Sequence, residues 1–418
     1  MVSVGIRVGG LGLSFLQAVL TARLLGPAGY GTVAALLSIV QVLAVIGMVG
    51  LGPLAVREIA ALQAAGQKGR IAGFLGLSLG LTMAASVILA ALTAWVVIPA
   101  WGAMTATESS LAFAGVLIVP LALLGLLRGW AQGFGRIANA QIPAEVLRPA
   151  VIVGVMIAAL ATGARFAEDD YLWVAILAAT LAVLVSLGML WQSNLRSLPR
   201  PGEPASLAKT TATALPFLGL SLAAILQGEI NTLLLAALAT PEETGLFQPI
   251  ARLAPLLVLP VQAAGMRYAP RVSELWRNGE RERLVAITRT FTWSTTLLTL
   301  VLGLALSLAG PWLMLAFGEQ FVATAPLLWI MAAAQLFNAA CGPVGMILMM
   351  SDHARLALMG TAVGLSVNVI LGFSLIPHTG ITGATIAMAS GTLAWNLALL
   401  IANRRTTKIP TSLLSFPT

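Results

Sequence analysis

Four arginines, Arg7, Arg23, Arg148 and Arg252, lie in or near the long apolar runs of this sequence, and Glu229 is the one acidic residue deep in a run. A charge at mid-depth in a lipid-like medium costs several kcal/mol, so such a group faces a partner, water or a ligand. Guanidinium forks suit an anionic group, because they grip phosphate or carboxylate oxygens with two parallel bonds. The single carboxylate, Glu229, suits a proton or a cation. Gln227 and Asn231 flank it, four residues apart and on one helical face, while Glu229 points about 200° away at 3.6 residues per turn.

Each of these residues also has a plain structural reading. Arg7 lies close to one end of its run and is expected to extend its charge to the interface. Arg23, just before the turn at Gly26, either does the same or meets a ligand. Arg148 follows Glu145 by three residues on one helical face, which allows a local ion pair or a ligand contact. Arg252 sits deeper, and Pro255 and Pro260 after it weaken the backbone ladder and permit a bend. For Arg252 a cavity is the preferred reading. Gln227, Glu229 and Asn231 either bond neighbouring helices or, in the case of Glu229, couple to an ion.

The elements that must position these groups follow from composition. Hydrophobic residues make up 59% of the 418 residues and charged residues 9%, against roughly 25% charged in ordinary soluble domains. With a mean hydropathy of +0.95, the chain reads as an all-α integral membrane protein. A crossing takes about 20 helical residues. On that measure twelve spans are expected, near 4–25, 31–54, 71–97, 109–127, 141–163, 171–192, 214–239, 246–266, 290–309 and 323–350, with two more between 356 and 403. From Leu356 to Asn403 there is no charged residue, and Pro377, Gly380 and Gly383 mark where that stretch folds back. The first run, Met1 to Gly26, has no A-x-A-like cleavage site and is expected to be a retained span. Between spans 3 and 4 lie Pro99 and Glu108, and Gly76 and Gly80 form a G-x-x-x-G that predicts close helix packing. The polar segment Arg267 to Arg289 is amphipathic and predicts a cytoplasmic helix.

Charge placement sets the orientation. With both termini cytoplasmic, the inner loops and tail hold all of the 23 Lys and Arg except Arg165 and the four in-span arginines. The outer loops collect Glu108, Glu168, Asp169, Asp170, Glu242, Glu243 and Glu319. This asymmetry is the one the positive-inside rule requires.

An internal repeat organises the spans. The turn Gly26-Pro27-Ala28-Gly29-Tyr30-Gly31 has a weaker copy at Thr240-Pro241-Glu242-Glu243-Thr244-Gly245, and Pro27/Pro241 and Gly31/Gly245 are each 214 residues apart. The same offset pairs Arg57 with Arg271 and Gln17 with Asn231. Each copy holds six spans, an even number, so the copies share an orientation about an axis along the membrane normal. Two six-helix lobes are expected, 1–200 and 201–418, divided by the linker Asn194 to Thr213 with Pro199, Pro201, Gly202 and Pro204.

Several chemistries lack their residues. There is no Walker loop, and the glycines around Pro27 sit between apolar spans and not between a strand and a helix, so no nucleotide or other cofactor is expected. His353, His378 and the lone Cys341 are scattered, which argues against a metal site. The net charge of +8 lies beside the spans, so the basic residues anchor the chain at a membrane surface and do not point to nucleic acid.

The run Ala22-Arg23-Leu24-Leu25-Gly26-Pro27 with Tyr30-Gly31, then Gly50-Leu51-Gly52 and Val56-Arg57-Glu58, resembles the polysaccharide transporter branch of the multidrug/oligosaccharidyl-lipid/polysaccharide flippase superfamily. The C-terminal half matches in layout more than in motif. The resemblance implies a V-shaped protein of the bacterial inner membrane that moves undecaprenyl-diphosphate-linked oligosaccharide to the periplasmic leaflet by alternating access, as a precursor of O-antigen, capsule or exopolysaccharide. It implies a transporter and not an enzyme, working beside a polysaccharide polymerase and other assembly proteins. Arg23, Arg148 and Arg252 are then the candidates for the diphosphate, with Gln17, Gln227 and Asn231 as polar lining. Two alternatives stay open: a cation-coupled multidrug exporter of the same superfamily, centred on Glu229, and a lipid II flippase, whose members commonly carry two further C-terminal spans.

Overall fold

The computed structural model describes residues 2–93, 108–199, 206–351 and 353–415. Pro99, Pro201, Gly202 and Pro204 lie outside them. The described chain is helical, and contacts divide it into two compact units, Met1–Glu229 and Ile230–Thr418.

The first unit begins with α1 (Val2–Gly47), 46 residues interrupted at Gly26 by φ 67° and ψ 178°. An unbroken helix of that length would measure about 69 Å at 1.5 Å per residue, over twice the apolar thickness of about 30 Å. Gly26 adopts the positive φ that a side chain would resist, and Pro27 then restarts the helix with its preset φ. Next come α2 (Leu51–Ala64), α3 (Lys68–Leu92), α4 (Glu108–Gly133), α5 (Ile137–Thr162) and α6 (Glu168–Ser193). α7 (Leu207–Leu238) carries the division between the units.

Two expectations are corrected in this unit. The second span does not run on to residue 54. It stops at Gly47, and a turn with positive φ at Val49 and Gly50 starts the separate helix α2, which carries Arg57 and Glu58. Gly76 and Gly80 lie on an exposed face with open space around them. The packing face of α3 is instead Ile71, Phe74, Ser78, Thr82 and Ser86, whose small hydroxyl residues allow close approach. In α5 the ladder widens to a π-helical turn at Ile142–Leu147, where Pro143 supplies no N–H.

Two apolar clusters hold the unit. One gathers Leu51, Leu54, Ile59, Phe74, Leu126 and Trp130, with Ala214 from α7. The other joins Val33, Leu36 and Val40 of α1 to Ile118, Ile152, Met156 and Leu172. The acidic first turn of α6 complements the helix dipole, and Asp169 there accepts from Ser110 of α4.

The second unit opens with α8 (Pro241–Arg277), which is closed at its start by a capping box. Glu243 N donates to Thr240 Oγ1 at 3.2 Å, and Thr240 N donates to Glu243 Oε2 at 3.3 Å. Thr240–Pro241 therefore does in this unit what Gly26–Pro27 does in the first: a non-helical residue precedes a proline that begins a helix. Pro255 is followed by the expected irregularity, a 3-10 turn over Ala254–Val258. The helix then continues to Arg277. The amphipathic segment is helical, formed by the end of α8 and the start of α9 (Arg281–Leu308), turned at Gly279. After α9 come α10 (Gly310–Phe317), α11 (Leu327–Cys341) and α12 (Val344–Met350), the last two bent by 41° at Gly342–Pro343.

The charge-free stretch forms α13 (Ala354–Arg405), broken at Gly380 with φ 53°. Its halves pack against each other. A methyl built on Gly364 would lie 2.8 Å from Gly391 O, and one on Gly391 would lie 2.8 Å from Gly364 O. Beyond α13 the chain turns back along the unit. Arg281 donates to Thr407 O at 3.1 Å and Lys408 O at 2.9 Å, Asn403 Nδ2 to Ile409 O at 2.8 Å, and Thr292 Oγ1 to Thr411 O at 2.8 Å.

Among the described residues, nine helices are long and apolar enough to cross a membrane, or ten if α11 and α12 form one broken span. The two broken helices, α1 and α13, are 46 and 52 residues long, each long enough for two crossings of about 20 residues.

Candidate functional site

The polar groups inside the spans are held in distinct ways. In the first unit, Glu229 of α7 accepts from two side chains of α1: Ser38 Oγ at 2.6 Å and Gln41 Nε2 at 3.2 Å. Ser38 is buried and Glu229 half-buried. Ser38 and Gln41 are three apart, hence on one helical face, and this spacing is the signal that could have picked them from the sequence. The interhelical reading of Glu229 is therefore realised in the structure, and the carboxylate stays partly accessible.

Gln17 of α1 makes a similar bond, donating from Nε2 to Tyr171 Oη of α6 at 2.6 Å. Tyr171 is buried, so its hydroxyl needs such a partner. Arg23 is exposed, one turn before the break at Gly26. Arg148 is half-buried where α5 returns from the π-helical turn to α-helix. Its neighbour Glu145 forms a salt bridge with Arg128 of α4, N to O 2.8 Å. An ion pair of Glu145 thus exists, and it joins two helices.

In the second unit, Arg252 is exposed in the last turn before the 3-10 interruption of α8. A guanidinium there sits at the negative end of a helical segment, a favourable place for a cation. Asn231 is 2% exposed, and its Oδ1 has no hydrogen-bond partner. Gln227, one turn earlier on α7, is exposed, so the pair expected to share a polar face divides between open and buried surroundings. Sequence reasoning passed over Gln248, which donates to Thr232 Oγ1 at 3.3 Å and Thr244 O at 3.1 Å, a fully buried polar pair between α7 and α8. Among the described residues, no three His, Cys, Asp or Glu side chains gather where they could hold a metal ion.

The described helices are joined by an ion pair and hydrogen bonds and carry glycine-proline breaks at their turns. Comparison with solved structures gives the class. The chain is similar to a multidrug resistance MATE family transporter of the MOP superfamily in its inward-facing conformation, with a TM-score of 0.74, 14% identity and coverage of 95% of this chain and 94% of that one. It is also similar to the lipid II flippase MurJ, inward closed, with a TM-score of 0.71, 13% identity and coverage of 96% and 87%. A MOP superfamily transporter from Pyrococcus furiosus matches with a TM-score of 0.61, 15% identity and coverage of 97% and 95%. At these identities the likeness shows the fold, that of a multi-pass membrane protein. No curated protein sequence matches the chain. Residues 1–276 match the family model described as polysaccharide biosynthesis protein, and the chain belongs to that family.

Proposed function

We propose that this protein is a flippase that carries a polyprenyl-diphosphate-linked oligosaccharide from the cytoplasmic to the periplasmic leaflet of a bacterial inner membrane, with both termini cytoplasmic. The observation that carries the reading is membership of the polysaccharide biosynthesis family over residues 1–276, joined to the transporter fold. Polysaccharide is assembled on lipid carriers, and a bundle of this kind offers such a carrier's head group a route through the apolar layer. The diphosphate is the part that most needs help, because its charge is the costliest to bring into lipid. Arg23, Arg148 and Arg252 are the groups proposed to meet it, with Gln17, Gln227 and Asn231 as further polar contacts for the glycan. The polyprenyl tail stays in lipid throughout, and a polymerase consuming the product outside would draw transport forward.

The test is transport of a short-chain polyprenyl-diphosphate oligosaccharide in proteoliposomes, read as leaflet accessibility of the sugar to an added lectin. Arg252→Ala is expected to lose transport while inserting and folding normally, and undiminished transport by that variant would sink the assignment. A second reading, the cation-coupled drug exporter, is favoured by one observation, the accessible carboxylate of Glu229 on Ser38 and Gln41. It predicts drug resistance in a sensitive host and no movement of the glycolipid. Lipid II as the cargo, the substrate of the similar flippase MurJ, is separated by supplying it in the same liposomes.

A further inference from the structure

The first unit contains a cavity of about 500 Å³ that none of the candidate site residues above lines. It lies where α2, the first turn of α3 and the first two turns of α7 come together. Leu54 and Phe74, both buried, contribute an apolar floor. Arg57, Arg70 and Lys209 supply three cations to its wall, against the one carboxylate of Glu58.

The cations are organised and not neutralised. The Arg57 guanidinium lies over the Phe217 ring, 5.5 Å from its centroid, which holds it by a cation–π contact. Arg70 Nη1 donates to Gln67 Oε1 at 3.0 Å, which steadies it at the start of α3. Among the described residues, none of the three forms a salt bridge, although Glu58 shares the cavity. Three like charges converging on one concavity repel each other, and an anion between them removes that cost. Two guanidiniums and an ammonium match a phosphate better than a carboxylate, because phosphate offers more acceptor oxygens and more charge.

We propose that this cavity binds a phosphorylated ligand through its phosphate group. The two sources of such a group are the headgroup of an anionic membrane lipid and a soluble phosphate or diphosphate. The residues that line the cavity fall in or beside segments the charge pattern assigns to the cytoplasmic face, where either source is present. The reading does not rest on the flippase assignment, and its test requires no transport.

The test uses the full chain, purified in neutral detergent, and native mass spectrometry with two probes, phosphatidylglycerol and inorganic pyrophosphate, with phosphatidylcholine as the uncharged-headgroup control. Saturable retention of phosphatidylglycerol over phosphatidylcholine assigns the site to lipid. Saturable pyrophosphate binding that phosphatidylglycerol fails to displace assigns it to soluble phosphates. In either case R70Q/K209Q is expected to weaken binding by about tenfold or more, the loss of two charge-assisted bonds. The charge-conserving R70K/K209R is expected to bind within a few-fold of wild type, and R70Q alone serves if the double variant does not elute as a folded protein. No saturable binding of either probe, or equal binding by the wild type and the charge-removing variant, overturns the proposal.

Discussion

Ser38 and Glu229 stand 191 positions apart in sequence and share a 2.6 Å hydrogen bond, with the serine hydroxyl donating to the carboxylate. With Gln41 as a second donor, this bond ties the start of the chain to the long helix α7. Hydrogen bonds between membrane helices average about 0.6 kcal/mol and reach about 1.7. Glu229→Leu, which leaves both donors unmatched, is therefore expected to lower stability by about 1–2 kcal/mol, and Glu229→Gln, which keeps one acceptor, by less. Thermal unfolding in detergent reads the difference. Should the carboxylate only join helices, Glu229→Gln transports at the same rate across pH 6–8; a lost pH dependence would transfer weight to the cation-coupled reading.

Gly380 and Gly26 are both helix breaks at positive φ, but their surroundings differ. Around Gly26 there is open space, whereas a methyl on Gly380 would run into the Glu243 carboxylate. Gly26→Ala therefore bears only the backbone cost, on the order of 1–2 kcal/mol. Gly380→Ala bears that cost and a clash, and its melting midpoint should fall further. Adding Glu243→Ala should recover part of the Gly380→Ala loss, and no recovery would refute the steric account.

Arg128 and Glu145 form a salt bridge with side chains 44% and 22% exposed. A pair that open is worth about 0–1 kcal/mol, so Arg128→Gln should leave stability nearly unchanged. A methyl on Gly10 would lie 2.6 Å from the backbone oxygen of the same Glu145. Backbone cannot step aside as a side chain can, so Gly10→Ala should cost more, about 1–3 kcal/mol as overpacking. The order of the two midpoints checks the claim.

Arg281 is the side chain that closes the tail of the second unit, with bonds to Thr407 O and Lys408 O. Arg281→Ala is expected to destabilise by about 1–3 kcal/mol, because bonds from a charged donor exceed neutral ones. Proteolysis after residue 405 should accelerate with it, a change that mass spectrometry of the cleaved chain detects.

Much of this architecture was legible in the sequence because lipid imposes few solutions. Apolar length, charge-poor runs and Gly-Pro breaks located the spans, and Pro27 with Pro241 revealed the repeat. The boundary at Gly47–Leu51 was not legible, since Met48, Val49 and Leu51 are as apolar as a span and only backbone dihedrals distinguish the turn. Gly76 and Gly80 misled for a related reason: small-residue spacing says that two helices can approach, not that a second helix is there. The in-span charges were found readily because each is rare. Their partners were not, because Ser38, Gln41 and Tyr171 are ordinary residues until folding sets them opposite Glu229 and Gln17.

The tail after α13 is gripped largely by its main chain, with Ile409 buried in an apolar cluster and the Thr407 hydroxyl donating to Asn403. The oxygens of Thr407, Lys408, Ile409 and Thr411 accept from Arg281, Asn403 and Thr292, and a peptide carbonyl is the same whatever side chain it follows. These bonds therefore depend on the spacing of the segment and not on the side chains that follow each carbonyl, while buried Thr407, Ile409 and Thr411 constrain their own positions. One inserted residue would move every later carbonyl out of reach of its donor, so the tail is a measured length of peptide before it is a sequence.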